Sequence, residues 1–175
     1  MSSAPPGAAL DDNNNNTSTT TLANLIVTLR QSSLSPPTVR VTVTNKNPHP
    51  VTIVSYQSPL DNLALALGSL TITPTGSSQP VELPIIRAKR VWPPPEDSLI
   101  VVKAGSSAGQ DIALEEPHVP VEKLGGSADV VLRGRWMAVW PRARAEISKA
   151  DIENASGTAL SGGEYVSNTL KVKIK

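Results

Sequence analysis

The sequence predicts an all-β fold, an immunoglobulin-like antiparallel β-sandwich of seven to nine strands, on three observations. Short runs alternate apolar and polar residues with period two, as in Val39, Val41 and Val43 against Arg40, Thr42 and Thr44. Clusters of Pro, Gly, Asn and Ser separate these runs at short intervals. The aromatic complement is 3 Trp, 2 Tyr and no Phe, so Val, Ile and Leu must fill most of the core, and β-branched side chains favour a pleated surface.

Each element follows from these signals in chain order. Residues 1–21 are rich in Pro, Asn, Ser and Thr, including the run Asn13, Asn14, Asn15 and Asn16. They lack the apolar surface that would offset ordering entropy, so a disordered N-terminal tail is expected, followed by one domain over residues 22–175. Leu25, Val27 and Leu29 form one face of a first strand, with Asn24, Ile26 and Thr28 on the other. Ser35, Pro36 and Pro37 break it before the strand of Val39, Val41 and Val43. The segment Asn45-Lys46-Asn47-Pro48-His49-Pro50 reads as an exposed turn, and residues 51–56 as the returning strand of a hairpin.

Ser58-Pro59-Leu60-Asp61 ends that strand. The Leu and Ala residues of positions 63–67 suit a short helix or a connection, and a connection into a strand at residues 69–73 is preferred. After the turn at residues 75–78, positions 81–86 read as an edge strand carrying Pro84. Further strands are expected at residues 98–103, 110–114, 128–140 and 170–175, with Gly- and Ser-rich turns at 105–109 and 125–127 and a helix-tolerant piece at 145–154.

Charge and composition exclude several function classes. Lys and Arg number 16 against 15 Asp and Glu, so a formal net charge of +1 provides no field to draw in nucleic acid or an anionic membrane. No apolar run approaches the roughly 18 residues of a membrane helix. The absence of cysteine removes thiol nucleophiles, disulfides and thiolate metal sites. That absence, together with a start lacking the basic and apolar regions of a secretory signal, predicts a cytoplasmic protein. The sequons at Asn15, Asn16 and Asn154 acquire meaning only on a secretory route.

No catalytic constellation is visible. His49 and His118 each adjoin proline in a loop, away from any nucleophile elbow, and their spacing matches no metal motif, so neither a metal nor a cofactor is expected. Glu115-Glu116 and Glu96-Asp97 are neighbours in extended segments, which point to opposite sides rather than converging for acid/base work.

Two surfaces suit recognition. Arg87, Lys89, Arg90 and Trp92 join cations to a flat aromatic, and the following Pro93-Pro94-Pro95 stiffens the loop, which reduces the entropy lost on binding. The alternative is that Trp92 caps the core while the cations are solvated. Arg133, Arg135, Arg142 and Arg144 flank a second stretch in which Trp136, Ala138 and Trp140 share one strand face. Those tryptophans fit core packing better than stacking on single-stranded nucleic acid.

Several local phrases carry a resemblance. Val41-Thr42-Val43-Thr44-Asn45, residues 51–55, Ser58-Pro59-Leu60-Asp61, Arg87-Ala88-Lys89-Arg90, Lys103-Ala104-Gly105-Ser106 and Tyr165-Val166-Ser167-Asn168-Thr169-Leu170 occur in an order that resembles the β-sandwich propeptide of fungal deuterolysin-type zinc metalloproteases. The resemblance implies a domain that assists folding of a protease or holds it inactive, here without a catalytic domain carrying His-Glu-x-x-His. The function expected is a non-catalytic protein-binding module, with a protease among its candidate partners and an inhibitor or folding-assistant role. A structural or stress-protective sandwich that self-associates through an exposed strand is the alternative.

Overall fold

The computed structural model describes residues 21–174. Except for Thr21, the expected tail lies outside the described residues, as does Lys175. The described residues form ten strands: β1 (Leu25–Leu34), β2 (Pro37–Asn45), β3 (Val51–Val54), β4 (Leu70–Pro74), β5 (Leu99–Val102), β6 (Ser107–Ala113), β7 (Ser127–Arg135), β8 (Val139–Trp140), β9 (Glu164–Val166) and β10 (Leu170–Lys173). Two short helices, α1 (Lys149–Glu153) and α2 (Ala155–Thr158), fall at the end of the helix-tolerant piece and just beyond it. Ser148 starts α1 with a capping box, its Oγ accepting from the Asp151 amide while the Asp151 carboxylate accepts from the Ser148 amide.

All strand pairings are antiparallel. The strands order as β1-β2-β6, as β10-β7-β4 with β9 also on β7, and as β5-β3-β8. This is the antiparallel sandwich that the alternation predicts, with more strands because short ones fall below the resolution of a sequence pattern. In β1 and β2 the alternation maps directly onto burial: Leu25, Val27, Leu29, Val39, Val41 and Val43 are buried while Ile26, Thr28 and Arg30 face outward.

β1 and β10 do not share a backbone ladder. Side-chain amides bridge them instead, since a primary amide offers the same donor and acceptor as a peptide group. Gln31 donates to the Lys173 carbonyl at 3.0 Å and accepts from the Lys173 amide at 2.9 Å. Asn168 accepts from the Leu29 amide at 2.7 Å and donates to its carbonyl at 3.2 Å.

Four expectations are corrected. Residues 81–86 form no strand, because Pro80 and Pro84 remove donors that a ladder would need. The turn after β2 is exposed only in part: Lys46 and Pro48 are exposed, but Asn45 and Asn47 are buried, and Asn45 donates to the carbonyls of His49 and Val102 while accepting from the Asn47 amide. β2 and β3 are not a hairpin, since β2 pairs with β1 and β6 whereas β3 pairs with β5 and β8. Residues 128–140 are two strands, interrupted where Trp136 exchanges backbone hydrogen bonds with Gly162 and Gly163. Trp136 therefore packs in the main core against Tyr165, 5.0 Å between ring centroids, while Ala138 and Trp140 belong to a second cluster with Ile147 and Ile152.

Candidate functional site

The first predicted surface lies on a strap over residues 81–95. Its course follows from its composition. Pro80 and Pro84 deny it a strand, and Pro93, Pro94 and Pro95 restrict its end, where the chain bends at Trp92 and Pro93. It is nevertheless fastened along its length. The Val81 amide donates to the Ile72 carbonyl and the Ile86 amide to the Ala66 carbonyl, both at 2.9 Å. Gly68 adopts a positive φ of 84°, and a Cβ there would stand 2.9 Å from Ile85 Cδ1, so glycine both makes the turn and seats the strap.

Arg90 is the central fastening. Its guanidinium donates to both oxygens of Asp61, at 2.7 and 2.8 Å, and lies over the Tyr56 ring at 4.4 Å. Asp61 also accepts from the amides of Gln57 and Leu63, which fold the Ser58-Pro59-Leu60-Asp61 turn around the carboxylate. Burial alone pushes the Asp61 carboxyl up, but the hydrogen bonds from Arg90, Leu63 and Gln57 and the Arg90 charge outweigh it and hold the group below its ordinary range. Arg90 is raised by the same bond. Burial, with the Asp61 charge second, pushes the Tyr165 phenol up, and its hydroxyl donates to the Gln57 carbonyl at 2.7 Å.

Trp92 is shared between core and surface. Its indole nitrogen donates to the Ile152 carbonyl at 3.1 Å, and its ring meets Tyr56 edge-on at 6.3 Å, yet it remains 38% exposed. The Tyr56 hydroxyl donates to the Val91 carbonyl at 3.0 Å. Of the four residues predicted here, Arg90 thus faces inward as an anchor, Trp92 is half anchor, and Arg87 and Lys89 are exposed.

Sequence reasoning missed the apolar part of this surface. Ile85, Ile86 and Val91 are 66%, 48% and 69% exposed. With Trp92 they make four of the eight exposed large hydrophobics among the described residues, all within eight consecutive positions. Reading residues 81–86 as a strand concealed Ile85 and Ile86, and the Pro80 to Pro84 spacing was the available signal.

The second predicted surface is not one basic stripe. Arg135 pairs with Glu164 at 2.9 Å, Arg142 with Asp151 at 3.6 Å, and Arg144 holds Glu96 through two nitrogens at 2.7 and 2.9 Å. Exposed Arg133 and Arg135 line an open depression beside Glu164, Tyr165 and Val166. His49 Nδ1 donates to the Pro50 carbonyl at 3.1 Å, and His118 is exposed. No group of three or more His, Asp or Glu side chains among the described residues could hold a metal ion.

A family model for an immunoglobulin-like domain matches residues 24–174, which takes in all ten strands. The chain belongs to this family. This immunoglobulin-like domain is also 30% identical over 135 residues to an uncharacterized secreted protein of Arthroderma benhamiae, an overlap covering 77% of the chain and 67% of the relative. The matched family is immunoglobulin-like and bears no propeptide designation, so the deuterolysin likeness rests on local phrases alone.

The secreted relative corrects the cytoplasmic, intracellular expectation. The inference from cysteine content fails for a physical reason: a domain whose core and side-chain bridges hold it without disulfides is not confined to a reducing compartment.

Proposed function

We propose that this immunoglobulin-like domain is an extracellular, non-catalytic protein-binding module that engages its partner through residues 85–92. The observation that carries this reading is the clustering of Ile85, Ile86, Val91 and Trp92 around exposed Arg87 and Lys89 on a strap anchored from below by Arg90. Exposed apolar side chains interspersed with cations are the composition of an interface, and the fastenings mean that little conformational freedom is lost on docking. The secreted relative supports an extracellular setting, and the propeptide resemblance adds a protease to the candidate partners.

A triple variant, Arg87→Glu, Lys89→Glu and Val91→Asp, tests the proposal without touching an anchoring side chain. The immobilised wild type and variant are exposed to the secreted fraction of the source organism, and retained proteins are identified and re-measured singly by interferometry. The expected result is a partner whose affinity falls at least tenfold with the variant. Equal retention by both forms removes the strap as the binding surface. A second reading, self-association, is favoured if sedimentation shows a concentration-dependent dimer that the triple variant abolishes.

A further inference from the structure

We propose that the strap is a substrate-like loop for a serine endoprotease of basic specificity, with Lys89 as the residue that enters its primary specificity pocket. This inference rests on the strap being the binding surface and adds the class of partner and the position of engagement. It follows from which groups the strap fastens and which it leaves free. Arg87 and Lys89 are exposed and make no ion pair among the described residues. The backbone amides and carbonyls of residues 87–90 also have no hydrogen-bond partner among the described residues, so an extended run of donors and acceptors is open to pair with a protease cleft. A cation presented beside it complements a specificity pocket with a carboxylate at its base.

Three bonds in the strap follow a basic residue, and the geometry separates them. Arg90 cannot enter a pocket while both its outer nitrogens bind Asp61 and only 15% of its side chain is exposed. Cleavage after Arg87 would leave Ala88 and Lys89 on the leaving side, neither fastened to the domain. Cleavage after Lys89 would leave Arg90 and Val91, which are held by Asp61 and by the Tyr56 hydroxyl. On the other side, the Ile86 amide is held by Ala66. Lys89 is therefore the basic residue whose flanks are fixed on both sides.

That fixation decides the outcome of attack. The protease serine oxygen adds to the Lys89 carbonyl carbon, the Lys89 to Arg90 C–N bond breaks, and the serine proton passes to the Arg90 nitrogen. The freed amine stays in place because Arg90 is clamped. It attacks the acyl carbon again, returns its proton to the serine oxygen and re-forms the peptide bond. The strap then acts as an inhibitor, because re-formation outpaces departure of the amine and entry of water.

Trypsin and chymotrypsin serve as probes for the full chain. Inhibition is read as Ki against small chromogenic amide substrates, and any cut is located by mass spectrometry. The wild type is expected to inhibit trypsin competitively, with Ki at least 100-fold lower than that of Lys89→Ala. Glu82→Ala, on the same strap but outside residues 85–92, should stay within a few-fold of the wild type, and Lys89→Leu should move inhibition from trypsin to chymotrypsin. Both positions are exposed, so the variants keep the fold. Absence of inhibition, rapid cutting with release at any strap bond, or equal inhibition by Lys89→Ala overturns the inference. If the triple variant loses a partner that is not a protease, the binding reading stands and this one falls.

Discussion

Asp61 shows how one buried charge organises the surface above it. Its carboxylate accepts four hydrogen bonds, from Gln57, Leu63 and twice from Arg90, while being 1% exposed. Removing one partner of a buried pair leaves the other uncompensated, so Asp61→Ala should cost about 3–5 kcal/mol in urea unfolding. The pH dependence has a definite sign. Because the folded-state pKa is held below the unfolded one, the contribution is complete above the ordinary carboxylate value of about 4 and is lost as pH falls through the folded value. Wild-type unfolding free energy should therefore fall on acidification below about pH 4, with a shallower fall in Asp61→Ala. An equally steep acid profile for both would show that other carboxylates dominate. In the sequence Asp61 is only the end of a turn, since nothing local reveals that Arg90, 29 residues later, closes on it.

At the scale of elements, the pairing of β7 with β9 depends on a glycine. Gly134 lies opposite Tyr165, and a Cβ there would stand 2.6 Å from the phenolic oxygen that bonds Gln57. Gly134→Ala should destabilise the domain by about 1–3 kcal/mol through overpacking, measured by urea midpoint. Unchanged stability would mean that Tyr165 can move without loss. β1 and β2 were legible as strands because one face of each meets the core, which prints the period of two into the residues. β9, with three residues, is too short to print a period. The strap was misread because Val81, Leu83 and the two isoleucines resemble a strand by composition, whereas the missing donors of Pro80 and Pro84 decide the matter. The same misreading hid half of the candidate site: Arg87, Lys89 and Trp92 were recognised, and the exposed Ile85 and Ile86 beside them were not.

At the scale of the whole molecule, the sheets close over one main core to which β1, β2, β3, β4, β6, β7 and β10 all contribute. Trp136 is 2% exposed within it, and Trp136→Ala should cost about 3–5 kcal/mol. Far-ultraviolet dichroism and the fluorescence of the remaining tryptophans should still report one coincident transition, because a shared core unfolds as a unit. Separate transitions would show that the cluster of Val54, Trp140, Ile147 and Ile152 melts on its own.

Composition and periodicity by themselves determined the antiparallel sandwich, the identity of most core strands and the presence of a stiff cationic loop, because each is recorded within a few neighbouring residues. The sheet partners, the break at Trp136, the inward turn of Arg90 and the exposure of Ile85, Ile86 and Val91 were decided only in three dimensions. Those features depend on hydrogen bonds between groups distant in sequence, and a local pattern carries no record of which distant group satisfies a donor or a charge.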